Sequence, residues 1–433
     1  MYLGRRLPPA VVLVAAVALL APRPGLALGC GLALVVALAA VDVLRAPRPR
    51  DLGARRTIPG VVRMGEDAEV VVRVRNPTDH ALRIVLRDRS APSLGRAPAR
   101  HELRLGARAI GEARAAIRPG RRGWTTVGPL TVRVAGPVGL AGRQATLPIV
   151  DRVKVYPVLR GRRQVELRIA RARLLQTGER SAAVRGGGTE FDSLAEYHVD
   201  DEFRRINWRA TARSARPVVN RYREEQSQQV VVILDAGRAM AASVDGVSRF
   251  EHAIDAAVAV AELAGHAGDQ VGCLVFSADV TRVVPTRGGR GQARRLVDAL
   301  FDQEPTLEAP DYRRAFSSLL ARQRRRALLL VLTELAHERA MDPLFEALPI
   351  LLRRHLVVVG AVRDPETDRL SRSRPTSSED AFLTAAAVGT LADRARTASR
   401  LGLMGVPVVD GPPGSLAGGV ADQYLRIKSL GRL

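Results

Sequence analysis

Between Gly188 and Met240 the chain concentrates the side chains that carry chemistry. Asp192, Glu196, Asp200, Asp201 and Glu202 precede Arg204, Arg205, Arg209 and Arg213, with Asn207 and Trp208 among the arginines. The block runs straight into an apolar stretch, Val230 to Leu234, that ends on Asp235. Acids and arginines at this density suit three roles. They pin a connector to a fold through guanidinium–carboxylate pairs, with Trp208 as a stacking face. They form a docking surface for a partner. Or paired carboxylates act as acid and base, a reading that lacks an identifiable nucleophile.

A second set sits at two predicted strand ends. Asp235 and Glu334 each close a buried apolar run. With Asp311 or Thr306 they could make an all-oxygen site of the kind hard cations such as Mg prefer. Arg238 is positioned to supply positive charge in place of a cation, and a helix-capping carboxylate is the plain alternative for Asp235. Other chemistries are excluded by motif. Lys154 is followed by valine and Lys428 is preceded by isoleucine, so neither fits the Gly-Lys-Ser/Thr of a phosphate-binding loop. There is no His-Glu-x-x-His run and no Gly-x-Ser-x-Gly elbow. Gly186-Gly187-Gly188, with no lysine after it, reads as a flexible turn. No cofactor is expected beyond that single ion.

These residues need a scaffold, and 433 residues are enough for two or three domains. Aromatics are 4% of the chain, so aliphatics and alanine must fill the cores. The net charge is +23, carried almost wholly by arginine, since lysine occurs only at 154 and 428. Scattered arginines of this kind favour background composition over a nucleic-acid site, and no aromatic-interleaved basic stretch of the single-strand-binding type is present. An anionic lipid surface or nucleic acid stays open as an electrostatic alternative. Cys30 and Cys273 support neither a disulfide framework nor a thiolate metal site.

Residues 7–44 are apolar except for a Pro22-Arg23-Pro24-Gly25 turn, which predicts a transmembrane hairpin with helices at about 7–21 and 26–44. Arg5 and Arg6 precede it and Arg45, Arg48, Arg50, Arg55 and Arg56 follow it. By the positive-inside bias both ends, and the soluble domains, face the cytoplasm. A lipoprotein leader ending at Cys30 is disfavoured, because the apolar run continues beyond it.

Residues 55–158 alternate and are valine-rich, which predicts a small β-sandwich with strands at 68–76, 81–87, 101–105, 110–117, 130–135 and 147–155. An arginine-rich connector and the polar block fill 159–228. From 229 to 433 continuous apolar strands (230–235, 271–276, 279–284, 327–334, 356–362, 405–409) alternate with helices (248–267, 290–303, 312–323, 343–354, 380–401, 415–427). That order predicts an α/β, mainly parallel, doubly wound sheet whose ligands bind beyond the carboxyl ends of its strands. Residues 371–380 read as an exposed polar loop.

The polar block also carries a resemblance. Glu190-Phe191-Asp192-Ser193-Leu194, Glu196-Tyr197, Asp200-Asp201, Arg204, Arg205-Ile206-Asn207-Trp208, Ala210-Thr211-Ala212-Arg213 and Leu234-Asp235 resemble the bacterial domain-of-unknown-function 58 family. The likeness extends over hairpin, sandwich, block and a von Willebrand factor A-like α/β domain. It implies no catalysis but a membrane-anchored adaptor or chaperone accessory of MoxR-type AAA+ ATPases. The block residues Asp192, Glu196, Asp200, Asp201, Arg204, Arg205, Asn207, Trp208 and Arg213 would then bind the partner. Two departures stand out. His198-Val199 replaces a proline and glycine, and Asp235-Ala236-Gly237-Arg238-Ala239 lacks both hydroxyls of the Asp-x-Ser-x-Ser metal motif.

Overall fold

In the computed structural model the described residues are 1–95, 100–158, 190–198, 201, 203, 206–214, 216–223, 228–289 and 291–430. The predicted connector at 160–188 lies outside them. The chain divides into two units, Met1–Val158 and Leu159–Leu433.

The first unit opens with β1 (Tyr2–Leu3) and two apolar helices, α1 (Leu7–Leu19) and α2 (Pro24–Arg45), which pack on each other. Proline stands at the start of each helix, where its missing N–H is no loss. With 22 residues, α2 is long and apolar enough to cross a membrane, whereas α1 has 13. Strands β2 (Gly53–Thr57), β3 (Val61–Arg63), β4 (Ala68–Arg75), β5 (Leu82–Ser90), β6 (Arg100–Leu105), β7 (Ile110–Ile117), β8 (Gly123–Ala135), β9 (Ala141–Leu147) and β10 (Asp151–Tyr156) follow. They form a three-stranded sheet, β2-β4-β7, and, together with β1, a seven-stranded sheet built around β8. Val72 and Val74 of the first share one core with Ile84, Leu86, Leu130, Val132 and Val134 of the second. Inward valines at every second residue of β4 give the sandwich its period of two.

Three differences from the sequence reading have physical causes. β8 runs through Gly128-Pro129, which read as a break. Gly128 adopts a positive φ of 117°, and β5 shifts register between Asp88 and Ser90 opposite it. The single strand expected at 147–155 is two, β9 and β10, separated by a segment that starts at Pro148. β2 escaped notice because its inward residue is not apolar but Arg56. That guanidinium is fully buried and ties the two sheets together through Asp88, Asp151 at 2.8 Å and the carbonyls of Val127 and Ile149.

The hairpin is stitched to the sandwich at both ends. β1 pairs antiparallel with β9, and the Gly4 N–H donates to Leu140 O at 2.8 Å. At the other end Asp42, wholly buried in the last turn of α2, accepts from the N–H groups of Val138, Leu140 and Ala141 at 2.7, 2.6 and 3.1 Å. Arg143 Nε donates to Val43 O, and Arg6 Nη1 to Val138 O. Both ends of the hairpin therefore meet at one loop.

In the second unit, β11 (Glu190–Glu196) and β12 (Val218–Arg223) form an antiparallel ribbon that flanks α3 (Trp208–Ser214). The α/β part comprises β13 (Gln229–Asp235), the short ribbon β14 (Ser243–Val244) and β15 (Val247–Ser248), α4 (Arg249–His266), β16 (Gln270–Phe276), β17 (Val280–Arg287), α5 (Gln292–Leu300) and α6 (Tyr312–Arg322). It continues with β18 (Leu328–Leu332), α7 (Glu338–Leu352), β19 (Leu356–Val362), α8 (Pro365–Ser371), α9 (Ser378–Leu403), β20 (Val408–Gly411) and α10 (Leu416–Ser429). The sheet order is β17-β16-β13-β18-β19-β20, parallel except for the edge strand β17. Val230, Val232 and Leu234 face a core shared with α4, α5 and α10. Val231 and Ile233 face another shared with α6 and α7. Helices on both faces explain why these strands read as continuous apolar runs.

α7 begins five residues before the expected 343, with Pro343 and Pro349 inside it, and α8 was unforeseen. The polar loop expected at 371–380 ends at Ser377, whose side chain caps α9 in a capping box with Asp380.

The C-terminal helix is fastened by charge. Lys428 Nζ lies 2.7 Å from both oxygens of Asp269, a carboxylate with no exposure that also accepts from the Tyr424 hydroxyl and the Gln228 N–H. Lys428→Ala leaves that buried carboxylate without its cation and is expected to cost about 3–5 kcal/mol. Hydrogen exchange across Leu416–Ser429 is the readout, and protection equal to wild type would refute it.

Candidate functional site

The chain leaves the centre of the sheet along β13, runs outward to β17, then returns to β18 on the other side of β13. The carboxyl ends of β13 and β18 therefore flank the switch point where open α/β sheets hold ligands. Asp235 stands there, 1% exposed. Its Oδ1 accepts from the Gly237 N–H at 2.7 Å, and its Oδ2 from the Thr333 hydroxyl at 2.6 Å and the Tyr312 hydroxyl at 3.0 Å. The two hydroxyls are themselves 2.8 Å apart. Tyr312 is seated edge-on to Phe276, beside Phe316. A Cβ at Gly237 would stand 2.8 Å from Pro310 Cδ and 3.1 Å from Glu308 O, so the loop admits no side chain there.

Three oxygens in mutual contact need three protons to close a ring of hydrogen bonds, and two hydroxyls supply two. If the carboxyl is protonated at Oδ2, the ring closes with each oxygen donating once and accepting once, and one of the two hydroxyl contacts to Oδ2 then runs from the acid. Burial pushes the Asp235 carboxyl above its usual range against the pull of its three donors, and it raises the Tyr312 phenol well above its own.

Glu334 lies on the same edge in a different network. Arg394, only 6% exposed at its side chain, bonds Glu334 through Nη1 and Asp410 through Nη2 at 2.7 Å, and donates to Val362 O and Leu335 O. Arg249 approaches the other Glu334 oxygen at 3.0 Å. Burial raises the Glu334 carboxyl, with both arginines opposing it. The expected Mg site at Asp235 and Glu334 does not fit this arrangement. Hydroxyls and a backbone N–H take up Asp235, guanidinium groups take up Glu334, and among the described residues no three His, Cys, Asp or Glu side chains converge. Nor do the other expected ligands join. Asp311 caps α6 by accepting from the Arg314 N–H, Thr306 bonds the Ala236 carbonyl, and Arg238 is exposed. Asp235 binds loop and hydroxyls instead of capping a helix. Sequence reasoning missed Tyr312 and Thr333, since nothing local marks a tyrosine 77 positions away as the carboxylate's partner.

The polar block separates into structural and exposed residues. Asn207 caps α3 through Ala210 N–H at 3.0 Å, donates to Asn220, and its N–H bonds Val218 O. Thr211 Oγ1 accepts from the Val218 N–H, and Ile206 packs inward with Val219. Asn207 thus holds α3 on β12, where a partner contact was expected. Asp201 accepts from the His198 N–H in a turn, and Glu196 pairs with Arg216 at 3.4 Å, both at the surface. Trp208 is 62% exposed and Phe203 68%, edge to face at 5.6 Å between ring centres, with Arg209 and Arg213 exposed on the same helix. Asp200, Glu202, Arg204 and Arg205 lie outside the described residues, as does the Asp192 side chain.

Comparison with known proteins agrees with the resemblance read from the block. Residues 193–398 match the family described as "Protein of unknown function DUF58". An uncharacterized protein of Mycobacterium tuberculosis is 23% identical over 192 residues, 43% of this chain, and the match spans 59% of that relative's length. Among solved structures, the conserved hypothetical protein BatB from Bacteroides thetaiotaomicron is 15% identical, over 47% of this chain and all of its own, with a TM-score of 0.31. The CARDB domain of a Pyrococcus furiosus protein is 18% identical over 24% of this chain and 87% of its own, at 0.19. At scores this low the architecture rests on the chain's own topology.

The proton ring makes a prediction that a metal site would not. Asp235→Asn keeps an acceptor for Gly237 and supplies the missing hydrogen, so it should be tolerated, whereas Asp235→Ala should cost at least about 1–3 kcal/mol. Because the folded state holds the Asp235 proton more tightly than the unfolded one, wild-type stability should fall as pH rises past the ordinary 3.8 towards the raised value. Asp235→Asn should lack that slope in denaturant melts taken across pH. A slope unchanged by the substitution would contradict the assignment.

Proposed function

We propose that this chain, whose residues 193–398 belong to the DUF58 family, is a membrane-anchored adaptor that faces the cytoplasm and has no catalysis of its own. Its partner on this reading is a MoxR-type AAA+ ATPase, and its α/β part is a von Willebrand factor A-like domain turned to protein contact without a metal. The observation that carries the reading is the exposed Phe203–Trp208 pair beside the block's surface arginines. Solvent-facing aromatics next to arginine are the composition of interface hot spots. At the sheet edge, the acids suited to chemistry are spent on internal hydroxyls and guanidinium groups.

The anchoring half of the reading draws on α1 and α2. Both ends of the hairpin bond the same sandwich loop, so both lie on the sandwich's side of the bilayer. The arginines flanking the hairpin favour the cytoplasm for that side. α1, with 13 residues, spans about 20 Å and reaches across only with its flanking residues or local thinning.

The test separates contact from folding. Trp208→Ala should lower capture of the ATPase by roughly tenfold or more while α3 stays formed. Asn207→Ala removes the cap and should loosen α3, by about 1 kcal/mol, before it affects capture. Capture measured with the full-length protein, alongside hydrogen exchange over Trp208–Ser214, distinguishes them. Undiminished capture by Trp208→Ala would end this assignment of the surface.

A further inference from the structure

The base of the hairpin gathers positive charge that the protein does not neutralise. Residues 1–65 contain nine arginines, with Arg23 in the turn at the far end of the hairpin and Arg55 exposed on β2, and two acids, Asp42 and Asp51. Asp42 is turned inward and spent on three backbone N–H groups. Of the arginines, Arg56 is buried between Asp88 and Asp151, and Arg63 faces Glu66. Arg5, Arg6, Arg45, Arg48 and Arg50 are exposed, and among the described residues none of the five has an acid within ion-pair distance. Some exposed arginines elsewhere on the same unit find acids, as Arg73 does with Glu112 and Arg108 with Asp79, and others such as Arg75, Arg83 and Arg104 find none among the described residues. The five at the hairpin are set apart by their place beside an apolar shaft.

The stitching brings the two ends of the hairpin together. Val138 accepts from Arg6 through its carbonyl and donates to Asp42 through its N–H, so the entry of α1 and the exit of α2 touch one residue. Arg6 itself bonds that residue, Arg5 adjoins Arg6, and Arg45, Arg48 and Arg50 follow Asp42 within eight residues of the chain. Above it, the hairpin exposes an apolar surface that includes Val12, Leu13, Val17, Leu34 and Val36. An apolar shaft rising from a cationic collar matches one chemistry, an acyl chain joined to an anionic headgroup.

We propose that Arg5, Arg6, Arg45, Arg48 and Arg50 form a seat for the phosphate headgroups of anionic phospholipids, which holds the sandwich at headgroup level. The proposal rests on the membrane reading above. The Asp42 clamp gives it geometry, because a hairpin on a loose tether would not fix the collar against the bilayer surface.

The experiment uses the full-length protein in vesicles of phosphatidylcholine mixed with phosphatidylglycerol, extracted gently and weighed with its bound lipid by native mass spectrometry. Phosphatidylglycerol should be retained several-fold over its share of the mixture, and less so at high salt. The triple variant R45Q/R48Q/R50Q should lose that preference, while R45K/R48K/R50K keeps most of it and shows that charge decides. Equal retention of both lipids, or an unchanged preference in the glutamine variant, overturns the proposal while the hairpin stays embedded. Displacement of the lipid by inorganic phosphate at comparable concentration, or preferential retention of nucleic acid, overturns it as well. Release of the wild-type protein from vesicles by alkaline carbonate would overturn the membrane reading and the proposal together.

Discussion

A carboxylate taken out of water must find its donors inside the protein, and that constraint organises this chain. Asp42 finds three backbone N–H groups, Asp235 two hydroxyls and an N–H, Asp269 a lysine and a tyrosine, and Glu334 two arginines. Each solution joins elements far apart in sequence. Asp42 locks the apolar hairpin to a loop almost a hundred residues on, and Asp269 secures the last helix to the start of the sheet. An unpartnered carboxylate at any of these places would cost several kcal/mol, so the contacts are obligatory wherever the acid is buried. The same accounting explains why the sheet's carboxyl edge offers little to a ligand. Asp235 there is taken up by two hydroxyls and an N–H, and Glu334 faces two guanidinium groups, although its Oε2 makes no hydrogen bond.

Arginine does the work that lysine and metal ions do elsewhere. Arg56 crosslinks the two sheets of the sandwich, and Arg394 joins three strand ends through Glu334, Val362 and Asp410. A guanidinium that bonds several oxygens in one plane replaces a cation as the centre of such a cluster. The +23 charge is then partly structural. Exposed arginines at the hairpin base and on α3 are among those left to face other molecules.

Much of the fold was legible because burial on two faces and on one face leave different periods. Val230 to Leu234 reads as a fully covered strand and Ala68 to Arg75 as a half-covered one, and both form as read. β2 was illegible because its inward residue is Arg56, and the whole of β8 because Gly128-Pro129 imitates a turn. The polar block announced itself by composition, but its division into a cap (Asn207), a turn (Asp201) and an exposed face (Trp208) depends on which side of a short helix each residue occupies. The partners of Asp42 are backbone N–H groups, which leave no mark in sequence. Tyr312 and Thr333 carry no local mark of their role until the sheet brings them to Asp235.

The central claim is that hydroxyls, a backbone N–H and guanidinium groups occupy the sheet edge in place of a metal, and that recognition belongs to the exposed face of the block. Its most direct test is a calorimetric titration of Mg, and of Mn as a tighter-binding probe, into the full-length protein in detergent. The account predicts no saturable binding to wild type. A saturable one-to-one isotherm that Asp235→Asn abolishes would contradict it, and would restore the edge as a metal-dependent site.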